Sequence, residues 1–552
     1  MENNYNCSKD KKIKNLLDTC TRLLSNGLYY KAYTDALSIL DIDDKNEKAK
    51  KIACLCLIQM YDLQTAISFF DNKDTNLNSI FEAKKNEFVN NLNKDTNYNL
   101  IIKLLNTLSI HNAYFPKVTI FSHSKSNRGV IAKRFITQNE IIMTIPKEFI
   151  LTVDTAKESD IGKQISLFMN MKLNSPKHSL LSSFILYEKN KENSKWSFYY
   201  DIFPKDFHTY PFFYNESENF LLSGSKFLLK VKEKRKDIEE DYKVLCSMID
   251  NYNVSFNDFF RMRIIVSSRI FGIKINGIKV DALVPLADML NHSTHNQTSW
   301  YYDEQIESFV VQAIEDIKEG NEIFDSYGKK PNSSYLLNYG FTIEHNEEYN
   351  EYPLTLILNR DSCELFSIKE DFIKSELGYE RTFNITHHLY DSNVIDLFSY
   401  LRFVCFDNED NIQLLFDEIR KGQDYTYINQ KAIPLFYHIE PFLIENELKV
   451  LHRLKEICQC ELTNYQSSYE DDIEILNGQT QLIYNQRNCI IIRISEKEIL
   501  LFYIAFCEYC IELLSLNSKD KIVSKVSYDY KDNNCPYEYY ISNILRLFKD
   551  NN

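Results

Sequence analysis

Glycine and proline are scarce in this chain, with 12 glycines and 11 prolines among 552 residues. That is about 2% of each, against a usual roughly 7% and 5%. So few helix-breaking residues predict a chain rich in helix. No hydrophobic run reaches the roughly 18 apolar residues of a membrane span, and residues 1–18 lack the order of a signal peptide. We therefore expect an intracellular protein, cytoplasmic or nuclear, without membrane association.

Basic residues are also fewer than acidic residues. The chain has 64 Lys and Arg residues against 78 Asp and Glu residues, a formal net charge of −14. Proteins that bind nucleic acid directly carry a basic stripe, so nucleic acid is not an expected partner. The acidity suits a neutral or cationic protein partner, and it equally suits simple solubility. Two acidic tracts, Glu239–Asp241 and Glu470–Asp472, hint at a basic partner.

The thirteen cysteines do not form a metal-binding or disulfide pattern. Cys54 and Cys56 form one C-x-C pair, and Cys458 and Cys460 form another. Neither pair has a second pair at zinc-finger spacing, so we expect packing residues, reduced as in an intracellular protein, and no metal.

The first hundred residues contain a repeat. Ala32 and Ala66 are 34 residues apart, and so are Cys20 and Cys54. This is the tetratricopeptide period, in which small residues let paired helices approach closely. Two degenerate repeats are fewer than the three that normally stabilise a solenoid. Both an arm that docks a partner and a helical hairpin packed on the next domain remain open.

Hydrophobic patterning predicts a change from helix to strand and back. Short apolar runs bounded by polar clusters predict strands at 118–121, 129–132 and 140–146, and again within 278–346. Residues 155–275 are expected to be mostly helical, with a long charged helix near 226–250. After about residue 350 the pattern is helical again, apart from one strand at 352–359.

A polar and aromatic cluster follows an apolar run. Its segments are Val284-Pro-Leu-Ala-Asp288-Met-Leu-Asn291-His292-Ser293, Glu319-Gly-Asn-Glu-Ile-Phe-Asp-Ser-Tyr327-Gly328 and Asn338-Tyr339-Gly340-Phe341. Asp, Asn and His close together supply donors and acceptors for a small polar ligand. Each Tyr-Gly pair places a phenol beside a residue that permits a tight backbone path. An ordinary, internally satisfied turn has the same composition.

Taken together, these segments resemble the SET-domain protein methyltransferases. They are most similar to the branch that includes the Rubisco large-subunit methyltransferase, with its split SET domain and helical C-terminal domain. Further motifs follow in the same order: Asn127-Arg128-Gly129, Trp196-Ser-Phe-Tyr-Tyr-Asp-Ile-Phe-Pro204, Val266-Ser-Ser-Arg269, Asn332, Glu445-Asn-Glu447, Tyr465, Glu470-Asp-Asp472 and Arg493-Ile-Ser-Glu496-Lys497.

The resemblance implies an α+β multidomain protein. Helical, tetratricopeptide-like repeats would occupy residues 1–110 and would offer a surface for a further partner. A β-rich SET catalytic domain would occupy residues 111–350, with a helical insert at about 155–265. A helical substrate-binding domain would occupy residues 351–552.

The resemblance also implies S-adenosylmethionine as cofactor and a protein as substrate. Tyr327 would be the catalytic residue, its hydroxyl orienting the acceptor amine. Arg269 would pair with the cofactor carboxylate, Asn291 would hold the methionine end, and the His292 backbone would hold the adenine. Asp288 is expected on the strand leading into this turn. The other predicted cofactor-binding residues are Asn127, Gly129, Glu140, Ile142 and Phe341.

Asn127 departs from the family pattern, because it replaces the first glycine of a Gly-x-Gly turn. Asn tolerates a left-handed backbone better than other non-glycine residues, so the turn is expected to survive. Cofactor affinity is the property that this substitution affects.

The acceptor pocket distinguishes two kinds of substrate. Most of the branch methylates lysine, whereas one group methylates a histidine of actin, and residues 145–157 resemble that group. Where the histidine enzymes carry an asparagine and a small residue, this chain has Phe271 and Tyr339. An aromatic channel suits an alkyl-ammonium, so we predict lysine. A histidine methyltransferase acting on actin and a catalytically inactive SET-derived scaffold are the alternatives.

Overall fold

The computed structural model describes residues 2–69, 75–94, 97–122, 128–167, 173–249, 252–374, 378–410, 412–421, 425–428, 431–434, 439–478, 482–531 and 534–548. These residues form two compact units. The first contains residues 1–207 and 235–329, and the second contains residues 208–234 and 330–552. The predicted boundaries at 110/111 and 350/351 do not coincide with this division, and they stay predictions.

The first unit begins with helices and continues with β-structure. Its early helices are α1 (Glu2–Ser25), α2 (Tyr29–Leu40), α3 (Glu47–Gln59), α4 (Leu63–Ala66), α5 (Thr75–Lys94) and α6 (Tyr98–Ile110). Its later helices are α7 (Val153–Lys157), α8 (Asp160–Ser166), α9 (Pro176–Lys189), α10 (Ser197–Tyr200) and α13 (Phe256–Arg269). Helix α12 (Phe227–Met248) matches the long charged helix that the sequence predicts and contains the 234/235 boundary.

The small residues of the 34-residue period are buried in the helical core. Cys20, Ala32, Cys54 and Ala66 are all fully buried, in the core where α1, α2, α3 and α4 pack together. Asn46 begins α3 by accepting a hydrogen bond from the backbone of Ala49. This packing supports paired helices; their assignment as tetratricopeptide repeats stays a prediction.

Among the described residues of the first unit, ten strands form three small sheets. Their bounds are β1 (Val118–Ser122), β2 (Arg128–Ala132), β3 (Ile141–Pro146), β4 (Leu151–Thr152), β5 (Ile270–Ile275), β6 (Ile278–Leu283), β7 (Asn291–His292), β8 (Thr298–Asp303), β9 (Ser308–Ala313) and β10 (Glu322–Asp325). The sheet orders are β1-β2-β10-β7, β3-β9-β8 and β4-β6-β5. The expected strands at 118–121, 129–132 and 140–146 are confirmed as β1, β2 and β3.

The expectation of helix up to residue 275 is wrong for its last six residues, which form β5. Ile275 pairs with Ile278 across a two-residue turn of Asn276 and Gly277, both at positive φ. An Asn-Gly pair between alternating apolar residues is a strong hairpin signal. The turn therefore overrides the helical pattern that precedes it.

The second unit is mainly helical. Its helices are α11 (Glu216–Leu221), α14 (Asn332–Tyr339), α15 (Phe366–Phe372), α16 (Ser392–Cys405), α17 (Ile412–Lys421), α18 (Ile444–Leu462), α19 (Tyr469–Asn477), α20 (Tyr484–Ser515), α21 (Lys519–Asp529) and α22 (Glu538–Ile544). Antiparallel pairing joins β11 (Tyr352–Ile357) to β12 (Glu380–Ile385), and β13 (Tyr425–Ile428) to β14 (Lys431–Pro434). The prediction of a single strand after residue 350 is therefore wrong, since β12, β13 and β14 are also present.

Both acidic tracts hold buried structural carboxylates. Asp472 is fully buried and forms ion pairs with Arg493 and Lys497. In the first unit, fully buried Asp241 accepts hydrogen bonds from the backbone of Asn174 and from the Ser179 hydroxyl. The tracts therefore give less support for a basic partner than their sequence suggests, because these two charges are neutralised inside the protein.

Most of the described cysteines are buried as expected, but Cys246 and Cys460 are exposed. Cys54, Cys56 and Cys458 are buried, whereas Cys460 is exposed, which corrects the packing role predicted for it. Among the described residues, no group of three or more His, Cys, Asp or Glu is arranged to hold a metal ion. None of the described helices is long and apolar enough to cross a membrane.

Candidate active site

The polar cluster predicted from the sequence is a tight turn followed by a short strand. Leu286 has a φ of 72°, and a single 3₁₀ turn, Ala287–Met289, follows it. Asp288 therefore lies in a turn and not on a strand, which corrects the prediction. The turn leads directly into β7, which runs parallel to β10.

The Asn291 side chain, on the edge strand β7, is held by hydrogen bonds to residues of β2 and β10. Its Nδ2 donates to the backbone oxygen of Arg128 at 2.8 Å and to Oε1 of Glu322 at 2.7 Å. Both N–H donors of the amide are thus used within the protein, and Oδ1 is the atom with acceptor capacity. Glu322 was not predicted as a site residue, although it lies in one of the quoted segments.

Gly129 is required by this arrangement. A Cβ built on Gly129 would overlap Oε1 of Glu322, and it would lie 2.9 Å from the Glu322 Cδ and 3.1 Å from the Asn291 Nδ2. The Glu322 carboxylate therefore occupies the space that a side chain at position 129 would fill. The predicted neighbour Asn127 lies outside the described residues.

Arg269 and Asp288 form a second cluster with a tyrosine that the sequence did not indicate. Nη1 of Arg269 donates to the Asp288 backbone oxygen at 2.9 Å and to Oδ2 at 3.2 Å. Oδ2 also accepts from the Tyr199 hydroxyl at 2.7 Å. Burial raises the pKa of Asp288, an effect that Arg269 and Tyr199 oppose. The half-buried guanidinium of Arg269 is therefore paired with the buried carboxylate of Asp288.

Tyr327 and His292 stack on each other at a ring distance of 5.2 Å. The Tyr327 backbone N–H donates to Nδ1 of His292 at 3.0 Å, so Nδ1 is an acceptor and the imidazole is the Nε2–H tautomer. The Tyr327 hydroxyl donates to the backbone oxygen of Leu290 at 2.8 Å. The hydroxyl proton is therefore used in a hydrogen bond within the protein.

Phe271, on β5, lies in an aromatic cluster with residues of β8 and β9. Its ring meets Trp300 edge-on at 5.3 Å and Phe309 at 5.2 Å. Trp300 and Phe309 are themselves stacked at 5.7 Å. The sequence indicated Phe271 but not Trp300. Residues 270–275 were expected to be helical, so the contact of Phe271 on β5 with Trp300 on β8 was not foreseen.

Two of the predicted cofactor-binding residues, Glu140 and Ile142, lie at or beside β3, which belongs to the β3-β9-β8 sheet. Glu140 precedes the strand, and its carboxylate pairs with Lys117 at 2.7 Å and accepts from Thr137. Burial acts to raise the Glu140 pKa, but these partners lower it overall. Ile142 is buried at a bulge between β3 and β9. No described contact joins their side chains to Asn291 or Arg269, so their backbone role beside a cofactor stays a prediction.

Tyr339 and Phe341 belong to the second unit. They flank Gly340, which ends α14 at a φ of 78°, and their rings are 6.1 Å apart. Phe341 also stacks on Tyr335 at 5.2 Å. Burial raises the Tyr339 pKa to about 12, so this phenol keeps its proton at neutral pH. Their participation in the site stays a prediction.

Comparison with known families accounts for this arrangement. The family model "SET domain" matches residues 127–328. The model "Rubisco LSMT substrate-binding" matches residues 361–500. The chain contains a SET domain followed by a Rubisco LSMT substrate-binding domain. The three residue clusters around Asn291, Arg269 and Tyr327 all lie within the SET match, and the helical core of the second unit covers the other match.

Individual relatives of this SET-domain protein are distant. Actin-histidine N-methyltransferase of Xenopus tropicalis is 26% identical, over 67% of this chain and 63% of its own length. The chloroplastic ribulose-1,5 bisphosphate carboxylase/oxygenase large subunit N-methyltransferase of Nicotiana tabacum is 26% identical, over 67% of this chain and 74% of its own. The crystal structure of the SET domain of LSMT bound to lysine and AdoHcy has a TM-score of 0.62 at 23% identity, covering 76% of this chain and 92% of that one. That likeness establishes the shared α+β fold.

Proposed function

We propose that this chain transfers a methyl group from S-adenosylmethionine to a side chain of a protein substrate. One observation carries the proposal. The turn from Asp288 to His292 carries Asn291, bonds Arg269 through Asp288, and bonds Tyr327 through Leu290 and His292. Two of the relatives are named as an actin-histidine N-methyltransferase and a ribulose-1,5 bisphosphate carboxylase/oxygenase large subunit N-methyltransferase.

The residues present fit the cofactor that this reaction needs. The Arg269 guanidinium would hold its carboxylate, since a planar guanidinium matches a carboxylate in shape and charge. The Asn291 Oδ1 would accept from its ammonium group, because the amide donors are already used. When bound, this cofactor supplies an electrophilic methyl group on a sulfonium. The relatives of known structure are described as bound to AdoMet or AdoHcy.

Tyr327 would align the nucleophile. Its hydroxyl donates to the Leu290 carbonyl, and its oxygen would accept a hydrogen bond from the acceptor amine. Such an oxygen accepts an N–H from the amine and favours the in-line geometry of transfer. The amine must lose its proton before the transfer, because only the neutral nitrogen has a lone pair to donate.

The aromatic cluster around Phe271 favours lysine as the acceptor. The rings of Phe271 and Trp300 are partly exposed, and such rings stabilise an alkyl-ammonium through cation–π and apolar contact. An imidazole would need a hydrogen-bonding side chain at position 271, which phenylalanine lacks. Histidine of actin is the second candidate, because several relatives at 22–26% identity bear that name.

A binding measurement followed by transfer tests the proposal. Titration calorimetry with S-adenosylmethionine is expected to show micromolar binding that Asn291→Ala weakens. Labelled methyl transfer to a whole-cell lysate, followed by acid hydrolysis, would then yield methyl-lysine. Methyl-histidine on actin would select the second candidate. Binding without transfer to any protein, or no binding by folded protein, would instead indicate an inactive scaffold and contradict the proposal.

A further inference from the structure

Tyr199 lies far from the turn in sequence but contacts its central carboxylate. It is on α10, within the insert of the SET domain, and its side chain is 1% exposed. Its hydroxyl donates to Oδ2 of Asp288 at 2.7 Å. Burial and the charge of Asp288 raise the Tyr199 pKa well above its usual value, so the phenol keeps its proton and always donates.

The Asp288 carboxylate depends on this donor for its orientation. Oδ2 receives Tyr199 and Arg269, whereas the buried Oδ1 accepts no hydrogen bond from any part of the chain that the structure describes. The plane of the carboxylate is therefore set at Oδ2. Nη1 of Arg269 donates to the backbone oxygen and to Oδ2 of Asp288, and it also lies 3.7 Å from the Met289 sulfur.

The segment that carries Tyr199 is fixed independently of Asp288. Nη1 of Arg128 donates to the Ile202 backbone oxygen at 2.8 Å, which ties the segment to β2. The Phe203 ring meets the Tyr199 ring at 4.8 Å and lies 6.0 Å below the Arg269 guanidinium. Tyr199 thus fixes the Asp288 carboxylate relative to the insert, and Asp288 in turn fixes the Arg269 guanidinium.

From this chain of contacts, we infer that Tyr199 is a positioning residue that sets the direction of the Arg269 guanidinium toward the cofactor carboxylate. The inference rests on the proposed function, in which Arg269 binds that carboxylate. It predicts that loss of the single hydroxyl oxygen weakens only ligands that carry the carboxylate. The ring of phenylalanine preserves the packing against Phe203.

The test compares two ligands by calorimetry. S-adenosylhomocysteine carries the carboxylate, and 5′-methylthioadenosine shares the thioadenosine but lacks it. Tyr199→Phe is expected to weaken S-adenosylhomocysteine binding about tenfold, as for a lost hydrogen bond to a charged group, and to leave 5′-methylthioadenosine within about twofold. The matched control is Tyr200→Phe, which removes a neighbouring hydroxyl bonded at 3.4 Å to the Glu188 backbone. It should bind both ligands as the wild type does.

A second variant tests the pathway. On an Arg269→Gln background, Tyr199→Phe should cause no further loss of S-adenosylhomocysteine affinity, because its effect passes through Arg269. Equal weakening of both ligands would show a merely structural role and overturn the inference. Unchanged binding of S-adenosylhomocysteine by Tyr199→Phe would overturn it as well. If the wild type binds neither ligand, the proposed function itself fails.

Discussion

Gly129→Ala tests whether the Asn291 amide is held by Glu322. The added Cβ would occupy the space of the Glu322 carboxylate, which must move and release Nδ2 of Asn291. A hydrogen bond to a charged group contributes about 1.5–3 kcal/mol. Replacing a strand glycine regains roughly 0.5 kcal/mol of chain entropy. We therefore expect the free energy of unfolding of the first unit to fall by about 2 kcal/mol.

The same change should weaken cofactor binding, because the released amide no longer presents Oδ1 in one direction. We expect about a tenfold rise in the Kd for S-adenosylmethionine, on the order of 1.4 kcal/mol. Urea unfolding measures the first quantity and calorimetry the second. Gly272→Ala is the matched control, since a Cβ there meets only the flexible end of Lys279 at 3.0 Å. Wild-type stability and affinity in Gly129→Ala would refute the reasoning.

Two further predictions concern the acceptor and the second unit. Phe271→Asn should lower the rate of methyl transfer to lysine by about tenfold and leave S-adenosylmethionine affinity unchanged, because the lost ring faces the acceptor; an unchanged rate would remove Phe271 from the acceptor pocket. Lys369 is fully buried, its ammonium donates to the carbonyls of Phe403 and Phe406, and burial lowers its pKa to about 8. The unfolded lysine keeps its proton up to a pKa of about 10.4, so the wild type should gain up to about 2 kcal/mol of stability as pH rises from 8 to 10. Urea unfolding should show that gain absent in Lys369→Met; a parallel pH profile in the two proteins would contradict it.

Local pattern predicted the elements whose signal lies within a few residues. The strands β1, β2 and β3 are short apolar runs bounded by polar residues, and α12 is a long periodic segment without glycine or proline. The segment β5 was missed because helix α13 ends at Arg269 and the strand begins at Ile270, with no breaker between them. Only the Asn276–Gly277 turn distinguishes them, and it lies six residues further on.

Contacts between distant residues were beyond sequence patterns. Tyr199 meets Asp288 across 89 positions, and Glu322 meets Asn291 across 31. Each is one polar residue in a mixed segment, and only folding places it against its partner. Arg269, Asn291 and Tyr327 were indicated by family resemblance, whereas the residues that hold them in position were not.

Methyl transfer by Tyr327→Phe tests the central claim most directly. The change removes one oxygen that bonds the Leu290 carbonyl and keeps the ring stacked on His292. The variant should bind S-adenosylmethionine with the wild-type Kd and lose about 100-fold or more in the rate of labelled methyl transfer, because its hydroxyl acts on the reacting amine and not on cofactor binding. Transfer at the wild-type rate would contradict the role of Tyr327, and no transfer by the wild type to any protein would contradict the enzyme itself.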